Sequence, residues 1–163
     1  GPGLTAGTCL RKDFGMINER SHATDILLSA WKVNEYMPYH IVNNISLYCD
    51  LYRKKISILG YTFKKNSDDT RDTLVPKLIR YIERKVPDSI TICEPHLDRK
   101  TIQGYPNKTL EEALSNADIV FIAMNHDLFC NVDGIYNFIK NGAWIVDIWN
   151  CLGRNEFLFQ NTT

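Results

Sequence analysis

Residues 118–123 read Asp-Ile-Val-Phe-Ile-Ala, and this run determines the fold that we expect for the rest of the chain. Its uninterrupted apolar stretch, 119–122, is typical of a strand that is buried on both faces of a sheet. Short apolar segments of the same kind occur at 56–59, 89–93 and 144–147, with helical patterns between them. Strands that alternate with helices favour a parallel sheet with right-handed crossovers. The sequence therefore predicts an α/β fold.

The helices of this fold are predicted from apolar spacing and from one capping residue. Residues 73–85 form an amphipathic pattern, and residues 132–140 precede the last strand as a second helix. Thr109 is placed to cap a third helix, because its hydroxyl can accept a hydrogen bond from an otherwise unpaired amide. The apolar face of the first helix consists of Leu74, Leu78, Ile79 and Ile82. Together these elements predict a Rossmann-like parallel sheet flanked by helices.

Three loops of this predicted sheet are candidate ligand sites. Ligands of parallel α/β sheets bind beyond the carboxyl ends of the strands, which here are followed by residues 60–72, 94–97 and 123–128. Glu94 resembles the acidic residue that often holds a ribose hydroxyl in such folds, but a simple turn is the default interpretation. His126 could contact a ligand, although a capping or surface role is more typical of an isolated histidine.

A long helical segment precedes the sheet. Residues 14–53 are largely helical by their apolar spacing, and Pro38 is expected to kink or divide the stretch. The apolar side of such an arm needs a partner surface, which makes it a candidate dimerisation element. We therefore predict two domains, a helical segment at 1–53 and an α/β domain at 54–163.

The composition of the 163 residues fits a globular protein and argues against several classes. Hydrophobic residues make up 44% and charged residues 23%, and the 19 basic residues balance the 19 acidic ones, so a dedicated nucleic-acid binder is disfavoured. No apolar run reaches the roughly 20 residues that a membrane helix needs. The five cysteines have no C-x-x-C spacing, which favours reduced thiols in the cytoplasm and predicts no metal site.

The segment Cys9-Leu10-Arg11-Lys12-Asp13 carries the strongest catalytic signal. If a helix begins near Leu10, its dipole and free amides favour a thiolate at Cys9. Lys12 adds a positive charge, and Asp13 projects to the same side as the cysteine. The alternative is an inert cysteine near a surface ion pair. The glycine-rich residues 3–7 favour the catalytic interpretation, because glycine lets the backbone approach a ligand.

The first residues also mimic a different motif. The pattern Gly1-x-Gly3-x-x-Ala6 resembles a dinucleotide-binding fingerprint, but that fingerprint requires a strand before it and a helix that begins on it. Neither is predicted here. Gly1-Pro2 also matches the remnant of a cleaved tag.

The charged loop after the first strand is a second candidate for ligand binding. Lys64 offers a point charge to a phosphate, and Arg71 offers a planar fork. Asp68 and Asp69 can orient these cations, although a solvated charged loop would have the same composition. After the last strand, Trp149 is suited equally to stacking on a base and to closing the core.

Three segments, taken in order, carry a family resemblance. They are G-P-G-L-T-A-G-T-C-L-R-K-D at 1–13, I-L-G-Y-T-F-K-K-N-S-D-D-T-R-D-T at 58–73 and V-D-I-W-N at 146–150. They resemble the UDP-glucose/GDP-mannose dehydrogenase family, and N-E-Y-M-P at 34–38 looks like its central helix. The resemblance implies an NAD-binding Rossmann domain, a central dimerisation region and a C-terminal nucleotide-sugar domain. This chain would contain part of the central region and the C-terminal domain, and the fragment is expected to be inactive alone.

The resemblance also implies roles for individual residues. Such enzymes oxidise the C6 alcohol of a UDP-sugar to a carboxylate with two NAD+, so Cys9 would trap the aldehyde and Asp13 would act on the hydrolytic water. Lys12 and Arg71 match positions that contact NAD. The substrate-binding positions implied are Gly3, Leu4, Thr5, Ala6, Gly7, Phe63, Lys64 and Trp149.

This sequence departs from the family pattern in two places. Its glycine loop is one residue shorter than the common form, and Trp149 stands where many members carry an arginine. The loop and the D-x-W-N ending look like those of a bacterial subgroup, which leaves the sugar open. The alternative function is a nucleotide-sugar-binding or dimerisation module without catalysis.

Overall fold

The computed structural model describes residues 3, 4, 6–20 and 25–162, and a five-stranded sheet forms its centre. The strands in chain order are β1 (Lys55–Leu59), β2 (Ser89–Cys93), β3 (Thr101–Ile102), β4 (Tyr105–Pro106), β5 (Ile119–Ile122), β6 (Trp144–Asp147) and β7 (Leu158–Gln160). The sheet order is β2-β1-β5-β6-β7, and all neighbours are parallel except β6 and β7. The α/β class and the parallel core of the sheet are therefore confirmed.

Two small features of the sheet were missed by the sequence patterns. β7 pairs antiparallel with β6 and extends the edge of the sheet, and β3 and β4 form a separate two-stranded ribbon. Each has only two or three residues, which is too short for an alternating pattern to stand out.

Within the described part of the chain, five α-helices accompany the strands. They are α1 (Thr8–Arg20), α2 (Asp25–Ile45), α3 (Val75–Glu83), α4 (Leu110–Leu114) and α5 (Val132–Tyr136). α3 buries the predicted apolar face, and α5 ends earlier than predicted. The cap on α4 is confirmed: the Thr109 hydroxyl accepts from the Glu112 amide at 3.3 Å, and the Glu112 carboxylate accepts from the Thr109 amide at 3.2 Å.

The core lies on both faces of the sheet. Along β5, Ile119 and Phe121 pack on one face with α2 and α3, and Val120 and Ile122 pack on the other with α4 and α5. All four side chains are fully buried. The apolar run is thus explained by the alternation of strand side chains between two covered faces.

α2 is continuous through Pro38, so the proline does not divide the helix, and the alternative of a kink at this position stays a prediction. Proline removes one helical hydrogen bond, but Pro38 is buried, as are Ile41, Val42 and Ile45 after it. These last three residues belong to the same apolar cluster as α3, which holds the second half of α2 against the sheet. The proposed boundary near residue 53 stays a prediction.

The first half of the helical region is packed quite differently. We call α1 and residues 25–37 of α2 the helical arm, and its apolar side chains are largely exposed. Ile26 is 84% exposed and Val33 is 63% exposed. We define the arm face as Met16, Ile17, Ile26, Leu27 and Val33. Within the described residues, no helix is both long enough and apolar enough to span a membrane.

Candidate functional site

The three loops that were predicted to bind a ligand, because each follows the carboxyl end of a strand, meet at one edge of the sheet. Glu94 follows β2, the loop after β1 begins at Gly60, and His126 lies just after β5. The carboxylate of Glu94 accepts hydrogen bonds from the backbone amides of Tyr61 at 2.7 Å and Thr62 at 3.2 Å. A buried acid on one loop therefore holds the backbone of its neighbour.

Glu94 is buried and ionised. Its other carboxylate oxygen accepts from the His96 amide at 3.0 Å, and the His126 ring approaches to 3.1 Å. Burial alone would raise the pKa of Glu94, but hydrogen bonds from His126 and from the Tyr61 and His96 amides outweigh it, so the pKa lies below its ordinary value. Because these bonds occupy the carboxylate, Glu94 acts here as an anchor for backbone rather than as an open ribose ligand.

His126 is fully buried, so the predicted surface role is wrong. Its Nδ1 accepts a hydrogen bond from the Asn66 amide at 2.8 Å, which requires that nitrogen to carry no proton. The proton of the neutral ring is then on Nε2, which lies 3.1 Å from Glu94 Oε2 and 3.3 Å from Thr62 Oγ1. No local sequence pattern predicts this pair, because its members lie on different loops.

Glu94, His96 and His126 also form a group that could be considered for a metal. One ligand atom from each lies within 4.8 Å of the others. Both ring nitrogens of His126 are already engaged, one as an acceptor and one as a donor, and the Glu94 carboxylate is fully hydrogen-bonded. The donor set therefore fits a hydrogen-bonded network better than a cation site.

The charged loop presents its cations outward. Lys64 and Arg71 are exposed, and the Arg71 guanidinium is paired with Asp69 at 2.5–3.0 Å. Hydrogen bonds from Arg71 lower the pKa of Asp69 to about 2. Asp69 thus orients Arg71, as the sequence predicted for this acid. Phe63 is half-buried beside these cations, and its amide donates to the Asp69 carbonyl at 3.1 Å.

The glycine segment, residues 3–7, contacts the same edge of the sheet, where the three loops meet. Gly3 adopts φ +131°, and a Cβ there would overlap the Trp149 ring; Gly7 adopts φ +117°, and a Cβ there would lie 3.1 Å from Phe63. Both positions therefore need glycine, for backbone conformation and for space. Leu4 is buried, and Ala6 packs on the core. Thr5, also predicted to bind substrate, lies outside the described residues.

Trp149 is half-buried at the end of β6. Its indole N–H donates to the Ala123 carbonyl at 2.8 Å, and its ring packs on the core and beneath Gly3. These contacts match the alternative in which the tryptophan closes the core. Contact of Trp149 with a ligand stays a prediction.

Cys9 lies in the first turn of α1 and is exposed. Lys12 and Asp13 are exposed one turn further on. The pKa of Arg71 is raised, chiefly by its hydrogen bond and charge interaction with Asp69, and the Cys9 sulfur adds to this in the same direction. Cys9, Lys12 and Asp13 thus lie together on the first two turns of α1, and their catalytic roles stay a prediction.

Arg11 was not assigned a role by the sequence, yet it joins the helical arm to the charged loop. Its guanidinium lies 3.2 Å from Glu35 on α2 and 3.4 Å from Asp72, and it sits over the Trp31 ring at 5.6 Å. Glu35 also pairs with Lys77 of α3. The cysteine-bearing helix is therefore fastened to the α/β part by a partly buried charge network.

The chain is similar in sequence to known proteins. The chain is 31% identical over 160 residues to the UDP-N-acetyl-D-mannosamine dehydrogenase of Methanocaldococcus jannaschii, covering 94% of this chain and 36% of that protein. It is 30% identical over 167 residues to the UDP-glucose 6-dehydrogenase of Rickettsia prowazekii, covering 93% and 38%. The chain thus spans little more than a third of the length of these relatives.

A solved structure shows the same fold. The NDP-N-acetyl-D-galactosaminuronic acid dehydrogenase from Methanosarcina mazei Go1 matches with a TM-score of 0.78 and 25% identity, over 96% of this chain and 37% of that one. The family model for the UDP-binding domain of the UDP-glucose/GDP-mannose dehydrogenases matches residues 57–154, which is more than half of the chain. The chain therefore belongs to the UDP-glucose/GDP-mannose dehydrogenase family.

Proposed function

We propose that this chain is the C-terminal part of an NAD-dependent UDP-sugar 6-dehydrogenase, of the type that converts UDP-glucose and two NAD+ to UDP-glucuronate. The observation that carries the proposal is that Gly3 and Gly7 lie against Trp149 and Phe63 at the carboxyl edge of the sheet, with Cys9 two residues further along in the first turn of α1. The relatives named above act on UDP-N-acetyl-D-mannosamine or UDP-glucose, and both sugars are candidates. The five free thiols support a cytoplasmic location.

In this proposal Cys9 and Asp13 are the catalytic residues, and Lys12, Lys64 and Arg71 bind the cofactor and the substrate. Cys9, exposed in the first turn of α1, adds through its sulfur to the aldehyde that would remain at C6 after a hydride has passed to the first NAD+. Loss of a second hydride from this thiohemiacetal to the second NAD+ would give a thioester. Asp13 then activates the hydrolytic water. The cations Lys64 and Arg71 face outward from the charged loop, where they can pair with phosphates of the UDP-sugar and of NAD respectively. Lys12 is also a contact for NAD.

The glycine segment and its two aromatic neighbours would form the substrate side. Gly3 lies against Trp149 and Gly7 against Phe63, while Leu4 and Ala6 pack in the core beside them. NAD itself would be held mainly by a further domain, since the relatives are nearly three times as long as this chain.

The test is the Cys9→Ser variant of the complete protein. We expect it to lose net oxidation to the sugar acid, because serine without a strong base is a poor nucleophile toward the aldehyde. Cys49→Ser is the matched control and should retain activity, since Cys49 lies after α2 and outside the site. Sugar-acid production by Cys9→Ser at the control's rate would contradict the proposal.

A second candidate is a nucleotide-sugar-binding module without catalysis, favoured by the ligand-facing loops of the α/β part. Calorimetric titration of the chain with UDP, UDP-glucose and GDP-mannose would distinguish the two. Saturable binding together with full activity of Cys9→Ser would favour the module. Binding that requires the rest of the protein would favour a site completed between domains.

The exposed arm face supports a homodimer as part of the proposal. Val33→Lys places a charge on that face and should shift the chain toward monomer in analytical ultracentrifugation. Val86→Lys is the control, because Val86 is exposed to a similar extent, 61%, but lies beyond α3. A chain that is monomeric before any substitution would count against the dimer.

A further inference from the structure

We propose that the buried Glu94–His126 pair positions the ligand-facing loop, with His126 in the neutral tautomer that carries its proton on Nε2. The ligand-facing loop is defined here as residues 61–71, which contain Phe63, Lys64 and Arg71. The inference rests on the proposed function for the identity of the ligand. Its structural part, the tautomer and the anchoring of the loop, does not depend on that identity.

The pair anchors the beginning of the loop through the backbone. Glu94 accepts from the Tyr61 and Thr62 amides, and His126 accepts from the Asn66 amide. These three amides bracket Phe63 and Lys64 along the chain. The inner side of the loop is therefore fixed, while the Lys64 side chain is left exposed.

Asn66 is the point at which this anchoring is most specific. It adopts φ +51°, in the left-handed region that asparagine tolerates better than most residues. Its side-chain amide donates to Asp127 at 2.6 Å, and its side-chain oxygen accepts from the Asp127 amide at 3.1 Å. The loop is thus bound at one residue by two adjacent groups of the loop after β5, His126 and Asp127.

The direction of each hydrogen bond fixes the tautomer. A backbone amide can only donate, so Nδ1 of His126 must accept. An ionised Glu94 can only accept, so Nε2 must donate. A protonated ring would place an N–H against the Asn66 amide, and the opposite tautomer would place lone pairs against Glu94. The neutral ring with Nε2–H is the one form that satisfies both neighbours.

Two substitutions test separately the two hydrogen bonds of His126, one to the Asn66 amide and one to Glu94. His126→Asn keeps an acceptor at the position of Nδ1 and loses the donor to Glu94. His126→Gln keeps a donor that reaches Glu94 and loses the acceptor for Asn66. His96→Gln is the matched control, because the His96 ring is exposed next to His126, with ring centroids 4.7 Å apart, and only its backbone amide bonds Glu94.

The first measurement is 15N NMR of the histidine rings, with amide hydrogen exchange at Asn66. We expect Nε2 of His126 to be protonated and Nδ1 not. Exchange at Asn66 should be about tenfold faster in His126→Gln and close to the parent in His126→Asn and His96→Gln, since one hydrogen bond contributes on that order. A proton on Nδ1, or equal exchange in all four proteins, would overturn the proposal.

The second measurement is UDP affinity by calorimetry at a temperature where every variant is folded. We expect His126→Gln to bind about tenfold more weakly and the control to bind as the parent does. A purely structural role would lower the melting temperature and leave affinity unchanged, which would also overturn the positioning role. This titration uses the complete protein, because the proposed site is completed by a further domain. If the complete parent protein does not bind UDP, the proposed ligand is wrong, whereas the NMR and exchange results still decide the anchoring.

Discussion

The helical arm and the α/β part of the chain differ in how far they bury their apolar side chains and in how they pair their charged groups. In the α/β part, the apolar residues of β5 are fully buried, and the acid at the end of β2 is hydrogen-bonded at both oxygens. In the arm, apolar side chains such as Ile26 and Val33 face outward, and charge pairs around Arg11 hold the helices in place. The α/β part therefore buries its own apolar side chains, whereas the arm leaves several of its apolar side chains exposed.

The largest expected effect comes from the same substitution made in each region. Ile122→Ala removes a fully buried side chain from β5 and should lower the free energy of unfolding by about 2–5 kcal/mol. Ile26→Ala, at a position that is 84% exposed, should change it by less than about 0.5 kcal/mol. Urea denaturation measures both. A loss above about 1 kcal/mol at Ile26 would mean that the arm face is already covered in solution.

Glycine substitutions give the next largest contrast. Gly60→Ala should cost about 2 kcal/mol or more, because Gly60 has φ +94° and its Cβ would collide with Met124. Gly15→Ala lies inside α1 with open space around it and should stabilise the chain by about 0.5–1 kcal/mol. Thermal melting of the two variants distinguishes them by sign. Equal destabilisation would show that α1 has a close neighbour in solution.

The ion pairs of Arg11 and Glu35, which join the helical arm to the α/β part, should contribute less to the free energy of unfolding. Glu35→Gln weakens the contacts of Glu35 with both Arg11 and Lys77, and we expect a loss of about 1 kcal/mol at low salt that shrinks in 1 M NaCl. Glu19→Gln, at an exposed site on α1, is the control and should be near neutral. Melting at the two salt concentrations tests this. A loss that is independent of salt would point to packing instead of charge.

The smallest effect is electrostatic and local. The pKa of Asp69 is about 2 in the folded chain, below its ordinary value of 3.8, so this acid favours folding above pH 3.8 and loses that contribution as the pH falls through 2. An NMR titration of the Asp69 carboxyl carbon should give this low midpoint. Arg71→Gln should return it toward the ordinary range, and Lys100→Gln, an exposed cation outside the loop, should not. A midpoint near 3.8 in the parent would mean that the pair is open in solution.

The sequence predicted most of the fold because long apolar patterns report burial directly. The run at 119–122, the face of α3 and the Thr109 cap all follow from local rules. Continuous passage of α2 through Pro38 did not, since the burial that offsets the lost hydrogen bond depends on the distant sheet.

The site was predictable only in outline. The three loops were predicted correctly as neighbours, because each follows the carboxyl end of a strand. The contact between Glu94 and His126 could not be predicted in this way, because the two residues are 32 positions apart in the sequence. The contacts of Arg11 could not be predicted for the same reason. Its partners Glu35 and Asp72 are brought to it by the packing of α1, α2 and the loop after β1. Residues that act through long-range contacts leave no local pattern.

The contact between Gly3 and Trp149 joins two ends of the chain and has a consequence for folding. Contacts between residues far apart in sequence form slowly, because a long loop must close first. The edge of the sheet that carries the glycine segment is therefore completed only after the strand that ends at Asp147 is in place. A chain still emerging from the ribosome would present Gly3 before the Trp149 ring on which it packs has been synthesised.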